Sequence, residues 1–207
     1  MVGFDFTFNE AQPVNFNEKS KKFILLADGL SFQNAISVSN LLIYNNTKRP
    51  YQIMANPNQY DFKVLQFFNW DEKDPQLFKL IADTANCFIE PTCNPVATIR
   101  MVATPSAGLP STLELISKKI NIQIEDKAFD NIAGLGLRLF ANNPEGRSYN
   151  EFKIEPLLSD KTKLYFEAFY HFDSFVKCTE SEVTRICESA YTDYKEKVDS
   201  AIAKLAK

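Results

Sequence analysis

Histidine is almost missing from this sequence. A single imidazole, His171, is present in 207 residues. Metal centres that draw on several histidines are therefore excluded. Cysteine is present but unpaired in pattern. Cys87, Cys93, Cys178 and Cys187 make no C-x-x-C motif, so no zinc knuckle is written here. They read as reduced, partly buried thiols. A Cys87–Cys93 disulfide across the Pro-containing stretch CFIEPTC is the alternative.

Glycine is also scarce, with six residues. The pair in GLGLR (134–138) lacks the later glycine and the following helix of a dinucleotide fingerprint. There is no Walker loop and no G-x-S-x-G elbow. The acids of IEDKAFD do not have the spacing of a calcium loop. No cofactor and no metal are expected.

No apolar run approaches the ~18 residues of a membrane helix. The start, MVGFDFTFNE, has no basic segment followed by an apolar one, so no secretory signal is read. A cytoplasmic location is expected, or a place in a virion. The sequon at Asn45–Thr47 then has no role. Positive charge is not in excess either, because net charge is −3. The basic clusters KSKK (19–22) and SKK (117–119) are short and diluted by acids. No nucleic-acid partner is expected.

What remains is ordinary globular composition, 45% hydrophobic and 24% charged, with one dominant rhythm of period two. FDFTF sets Phe4, Phe6 and Phe8 on one side, against Asp5 and Thr7. KFILLAD (22–28), ISVSNLLIY (36–44), YQIMAN (51–56) and YDFKVLQFFNW (60–70) continue the strand signal. After an interruption it returns in VATIRMVAT (96–104), INIQIED (120–126), GLGLRLFA (134–141), YNEFKIE (149–155) and KLYFEAFYHFDSFV (163–176). The turn residues NNPEGRS join two of these as a hairpin.

Two helices stand out. DPQLFKLIADTANCF has Asp74 as N-cap and Pro75 at the first turn, and predicts one internal helix near 74–87. PSTLELISKK (110–119) fits either helix or strand. From Thr179, with Glu182 three residues on, a capping-box pattern opens a long C-terminal helix. Its apolar stripe runs Val183, Ile186, Cys187, Ala190, Tyr194, Val198, Ala201, Ile202 and Leu205.

These features predict an α+β chain, predominantly antiparallel β, as a sandwich or barrel of about eight to ten strands. Residues 1–176 form the β-rich domain. Residues 177–207 form a helix packed on that domain or on a partner.

Function is less legible. His171 shares a strand face with Glu167 and Asp173. A neighbouring carboxylate can orient an imidazole or raise its pKa. The three together are the one candidate catalytic set, for a ligand-binding or hydrolytic site near His171 and strand 164–175. The plainer reading makes them the polar side of a strand whose Phe166, Ala168, Tyr170 and Phe172 face the core. Phe67, Phe68 and Trp70 are candidates for a stacking platform.

The favoured expectation is a non-enzymatic structural, assembly or protein-interaction protein. A component of a repeating particle or tube, in a phage, virus or bacterial machine, is its concrete version. The partner would be another copy or another protein, held through Val183, Ile186, Cys187, Tyr194, Val198, Ile202 and Leu205 of the terminal helix.

Overall fold

A computed structural model describes residues 1–9, 16–89, 96–108, 111–113, 135–143, 149–173 and 178–205. The alternating stretch 120–126, the ambiguous 114–119, the turn residues 144–148 and Cys93 lie outside these.

The order along the chain is β1 (Val2–Asn9), α1 (Phe16–Gly29), β2 (Phe32–Val38), β3 (Leu41–Asn46), β4 (Tyr51–Asn56) and β5 (Gln59–Phe68). Then come α2 (Leu77–Ala85), β6 (Val96–Ala103), β7 (Leu137–Asn142), β8 (Tyr149–Pro156), β9 (Leu164–Phe172) and α3 (Glu180–Leu205). The α+β class, the antiparallel sheet and the long C-terminal helix are as the alternation indicates. The described strands form one sheet in the order β2-β3-β4-β5-β1-β6-β9-β8-β7. Helices, not a second sheet, cover its apolar face.

That face follows from the period of two. Phe4, Phe6 and Phe8 of β1 are buried. They align with Val64, Phe62 and Tyr60 on β5 and with Met101, Ile99 and Ala97 on β6. Phe172, Tyr170 and Ala168 of β9 carry the same rows onward, and Phe166 adds one more opposite Ala103. The core-facing set read on that strand is therefore buried.

One strand reading is overturned. KFILLAD belongs to α1, so the described residues hold two internal α-helices where one was expected. The reason is periodicity across a longer window than the apolar run itself. Phe16, Ser20, Phe23 and Ala27 recur at helical spacing and are the buried residues of α1. A strand would pair Phe23 with Leu25, yet Leu25 is 80% exposed. Lys21 and Lys22 lie exposed on the same helix. Phe23 meets Tyr44 of β3 edge-on at 5.0 Å, so α1 lies over the β3 end of the sheet. ISVSNLLIY likewise divides. Val38 pairs with Leu41 across a two-residue turn, making the hairpin β2–β3.

Helix α2 is shorter than its cap suggests. Asp74 instead makes a preceding turn, accepting Gln76 N–H at 2.9 Å on its side chain and Leu77 N–H at 2.9 Å on its carbonyl. At α3, Thr179 Oγ1 accepts the Glu182 N–H at 3.3 Å. The Glu182 carboxylate turns to Arg185.

Trp70 fixes α3 to the sheet. Its ring stacks on Tyr191 at 4.5 Å and 10°, and it meets Phe4 edge-on at 5.5 Å. Its indole N–H donates to Glu188 at 2.9 Å, and Lys73 reaches Glu188 at 2.9 Å. Further along α3, Tyr194 donates its hydroxyl to the Phe166 carbonyl at 2.9 Å.

Trp70→Ala is expected to remove about 3–5 kcal/mol of stability, the cost of an aromatic cavity in a core. Trp70→Phe should lose less and leave the fold intact. Urea denaturation followed by circular dichroism measures both, since the substitutions delete the chain's one tryptophan.

Candidate functional site

The second face of the sheet has no described helix on it and is polar at its centre. Register places one residue from every strand in a single row: Gln33, Asn45, Gln52, Lys63, Asp5, Arg100, Phe169, Glu151 and Phe140. A neighbouring row holds Val102, Glu167, Lys153 and Arg138. In the first row Lys63, Asp5 and Arg100 alternate in sign on adjacent strands; in the second Glu167 faces Lys153, which lies beside Arg138.

Arg100 is the hub of this belt. Its Nη1 donates to Asp5 Oδ2 at 2.8 Å and its Nε to Glu167 Oε1 at 2.6 Å. Its Nη2 donates to the Tyr165 hydroxyl at 3.2 Å. Lys153 Nζ donates to Glu167 Oε2 at 3.0 Å, and Arg138 Nε pairs with Glu151 at 2.7 Å. Burial disfavours charge on Arg100. Hydrogen bonds to Asp5 and Glu167 outweigh that and raise its pKa above the ordinary value. Burial raises the Glu167 carboxyl, but Arg100 and Lys153 win and hold it below its usual range. Both groups stay ionised because each is held by the other.

The candidate catalytic set is divided by this geometry. Glu167 is committed to Arg100 and Lys153. His171 Nδ1 lies 3.0 Å from Thr98 Oγ1, which accepts from Asn9 Nδ2 at 3.1 Å. Asp173 lies just past the end of β9. Asp173 and Glu151 act on the imidazole through charge, pushing its pKa up. Desolvation is larger and lowers it below the ordinary value. The raised pKa that a neighbouring carboxylate would give is thus outweighed by burial. Against α3 rather than at the imidazole, a groove of about 150 Å³ is lined by Asn142, Asn150, Tyr170, Phe172 and Lys197 among others, and His171 does not line it. This is below the ~300 Å³ where small-molecule pockets begin.

The other named residues are placed as follows. Trp70 is buried under Tyr191 and Phe68 is partly buried, so neither offers a free ring. Phe67 is exposed on the open face beside Gly3. On α3, Val183, Ile186, Cys187, Tyr194 and Val198 are buried in the chain's own core. The stripe read as an interface is thus covered by the sheet and α2. Ile202 is half-buried against the same core, and the side chain of Leu205 lies outside the described set. Cys87, Cys178 and Cys187 are free thiols. Burial pushes Cys178 up to about 12, so its reactive thiolate is suppressed. Among the described residues no three of His, Cys, Asp and Glu converge as metal ligands. No described helix is long and apolar enough to cross a membrane.

Two features escaped sequence reasoning. Arg100 reads as one polar residue in an apolar strand until β6 is set beside β1 and β9. The second is the hairpin β2–β3 at the end of the sheet. From Gly29 to Thr47 the chain has no Asp, Glu, Lys or Arg. Six of the seven residues of β2 are exposed, including Ile36 at 45% and Val38 at 58%. Ile36 pairs with Ile43 and Val38 with Leu41, and Ile43 pairs with Met54. An uncharged apolar corner results. The charge gap was visible in the sequence, but only an edge position gives it meaning.

The sole imidazole is a clean reporter. Its NMR titration midpoint is expected below ~6.5, the unperturbed value. A midpoint at or above that value would contradict a desolvated placement. Because the folded pKa is the lower one, stability should decline as pH falls from about 6.5 through the folded value. His171→Asn should flatten that part of the stability–pH curve.

Arg100→Met leaves Asp5 and Glu167 without their shared cation and, because Arg100 is more than a third exposed, is expected to cost about 1–2 kcal/mol. Adding Glu167→Gln should recover part of this in a double-mutant cycle. The stabilisation from Glu167 is complete above about pH 4.3 and is lost as pH falls through its depressed folded pKa. Chemical denaturation between pH 3 and 7 checks both.

No protein-family model matches this chain, and no curated protein matches it.

Proposed function

We propose that this chain is a non-enzymatic assembly or interaction protein that binds other protein through the hairpin β2–β3. The observation that carries the reading is the uncharged edge. Natural sheets guard outer strands with lysine, proline or inward charge, because an open edge is a template for another strand. Here the edge carries exposed Ile36 and Val38 and the whole Gly29–Thr47 segment is free of charge. An added strand would gain main-chain hydrogen bonds along β2 and apolar contact at that corner.

Two further features support the reading. The belt on the open face balances its own charges, so a phosphate backbone finds little net field there. The imidazole of His171 is desolvated and tied to Thr98, which suits a strand residue better than a general base. A pairwise contact of this kind is the unit from which the concrete version, a repeating particle or tube, would be built.

A photo-crosslinking amino acid placed at Ile36 tests the reading in cells that make the protein naturally. Discrete protein adducts are expected from position 36 and not from Leu25 on α1, which is the more exposed of the two. No adduct from position 36, or the same adducts from both positions, would overturn it.

A further inference from the structure

We propose that the protein occupying the β2 edge is a second copy of this chain, with the two β2 strands pairing antiparallel about a two-fold axis. The proposal rests on the interaction reading above and names its partner. It starts from a symmetry constraint. In an isologous contact the same patch meets itself, so a charge near the axis meets its own sign. Like charges opposed across a strand pair are destabilising. A strand that pairs with itself is therefore favoured when it is free of charge near the axis. A strand that pairs with a different protein has no such requirement and gains specificity from charge.

The β2 edge meets this condition across the whole hairpin. In a chain with 24% charged residues, the flanking charges fall at Asp28 and Lys48, outside both strands. β7, at the other end of the sheet, does not meet it. Arg138 lies within that strand and pairs with Glu151 on β8.

The dyad of an antiparallel strand pair stands perpendicular to the sheet. Both open faces therefore continue onto one side. Ile36 and Val38 of each copy come together there, extending the row Ile36–Ile43–Met54 into a double patch. The polar side chains Gln33, Asn34 and Ser37 meet only uncharged partners. Among the described residues β2 pairs with β3 alone, leaving its outer main-chain groups for the second copy. One β2–β2 ladder with its side chains falls below the ~1,200 Å² of a standard interface, so micromolar association is expected.

Sedimentation velocity of the full chain from about 1 to 300 µM, bracketing that micromolar range, is the test. The expected result is a monomer–dimer equilibrium that stops at two. Ile36→Lys and Val38→Lys each place like charges across the axis and should weaken the dimer at least tenfold. Leu25→Lys on α1 should leave it unchanged. Thermal melts followed by circular dichroism verify that each variant folds. Hydrogen exchange supplies a second readout, because β2 amides should gain protection as concentration rises and those of β7 should not.

A chain that stays monomeric over this range overturns the proposal, as does a dimer indifferent to both lysines. Open-ended growth beyond two overturns it in favour of head-to-tail contacts between β2 and β7. A monomer whose position 36 crosslinks to a different protein sinks self-pairing and leaves the interaction reading standing. No adduct at all sinks both.

Discussion

Everything in this molecule rests on β1 lying between β5 and β6. On one side, β2 to β5 form a meander that could fold from local turns. On the other, β7 to β9 form a second meander, joined to β6 through β9. Neither half owns a complete apolar face. The phenylalanines of β1 complete both, with Phe6 set between Phe62 and Ile99. The helices then divide the covering: α1 at the β3 end, α3 over β6 and β9, and α2 packed against both. Trp70 ties the longest helix to this arrangement because it touches β1 through Phe4 and α3 through Tyr191.

The two faces of the sheet are stabilised by different physics. The helix-covered face gains from area removed from water. The other gains from matching charge to charge across neighbouring strands, from β1 through β6, β9 and β8 to β7. The Asp5–Arg100–Glu167 bridge joins three adjacent strands, β1, β6 and β9. Such a network adds register more than energy, since half-exposed pairs contribute modestly and a misplaced charge costs more. A belt satisfied within itself also leaves the middle of this face without a strong field. Association is thereby pushed toward the ends of the sheet, where charge runs out and apolar side chains remain.

How far the sequence was legible follows the range of each signal. Alternation in FDFTF or LYFEAFYHF needs only residues two apart, and it named the strands and their buried sides correctly. The terminal helix declared itself by a stripe many turns long. Helix α1 did not, because FILL looks continuous when read alone. Its period appears only once Phe16 and Ser20 are counted with Phe23 and Ala27. Strand order was illegible, since nothing in β1 says that its partners lie far away in the chain. The electrostatic hub at Arg100 was hidden for the same reason. His171 drew attention by being solitary, yet its environment is decided by Thr98, Asn9 and burial, none of which adjoins it in the chain. Terminal-helix residues such as Ile186 were recognised as a packing surface, but amphipathicity does not say against what.

The placement of β1 also bears on how the protein is made. It leaves the ribosome before either neighbour, and the last residue of β6 is Ala103. A strand of alternating phenylalanines has no partner until β5 ends at Phe68, and its other edge stays open until β6 follows. Long-range pairing of this kind is slow and exposes sticky surface meanwhile. Synthesis thus has a vulnerable interval, which narrows at β5 and closes with the arrival of β6.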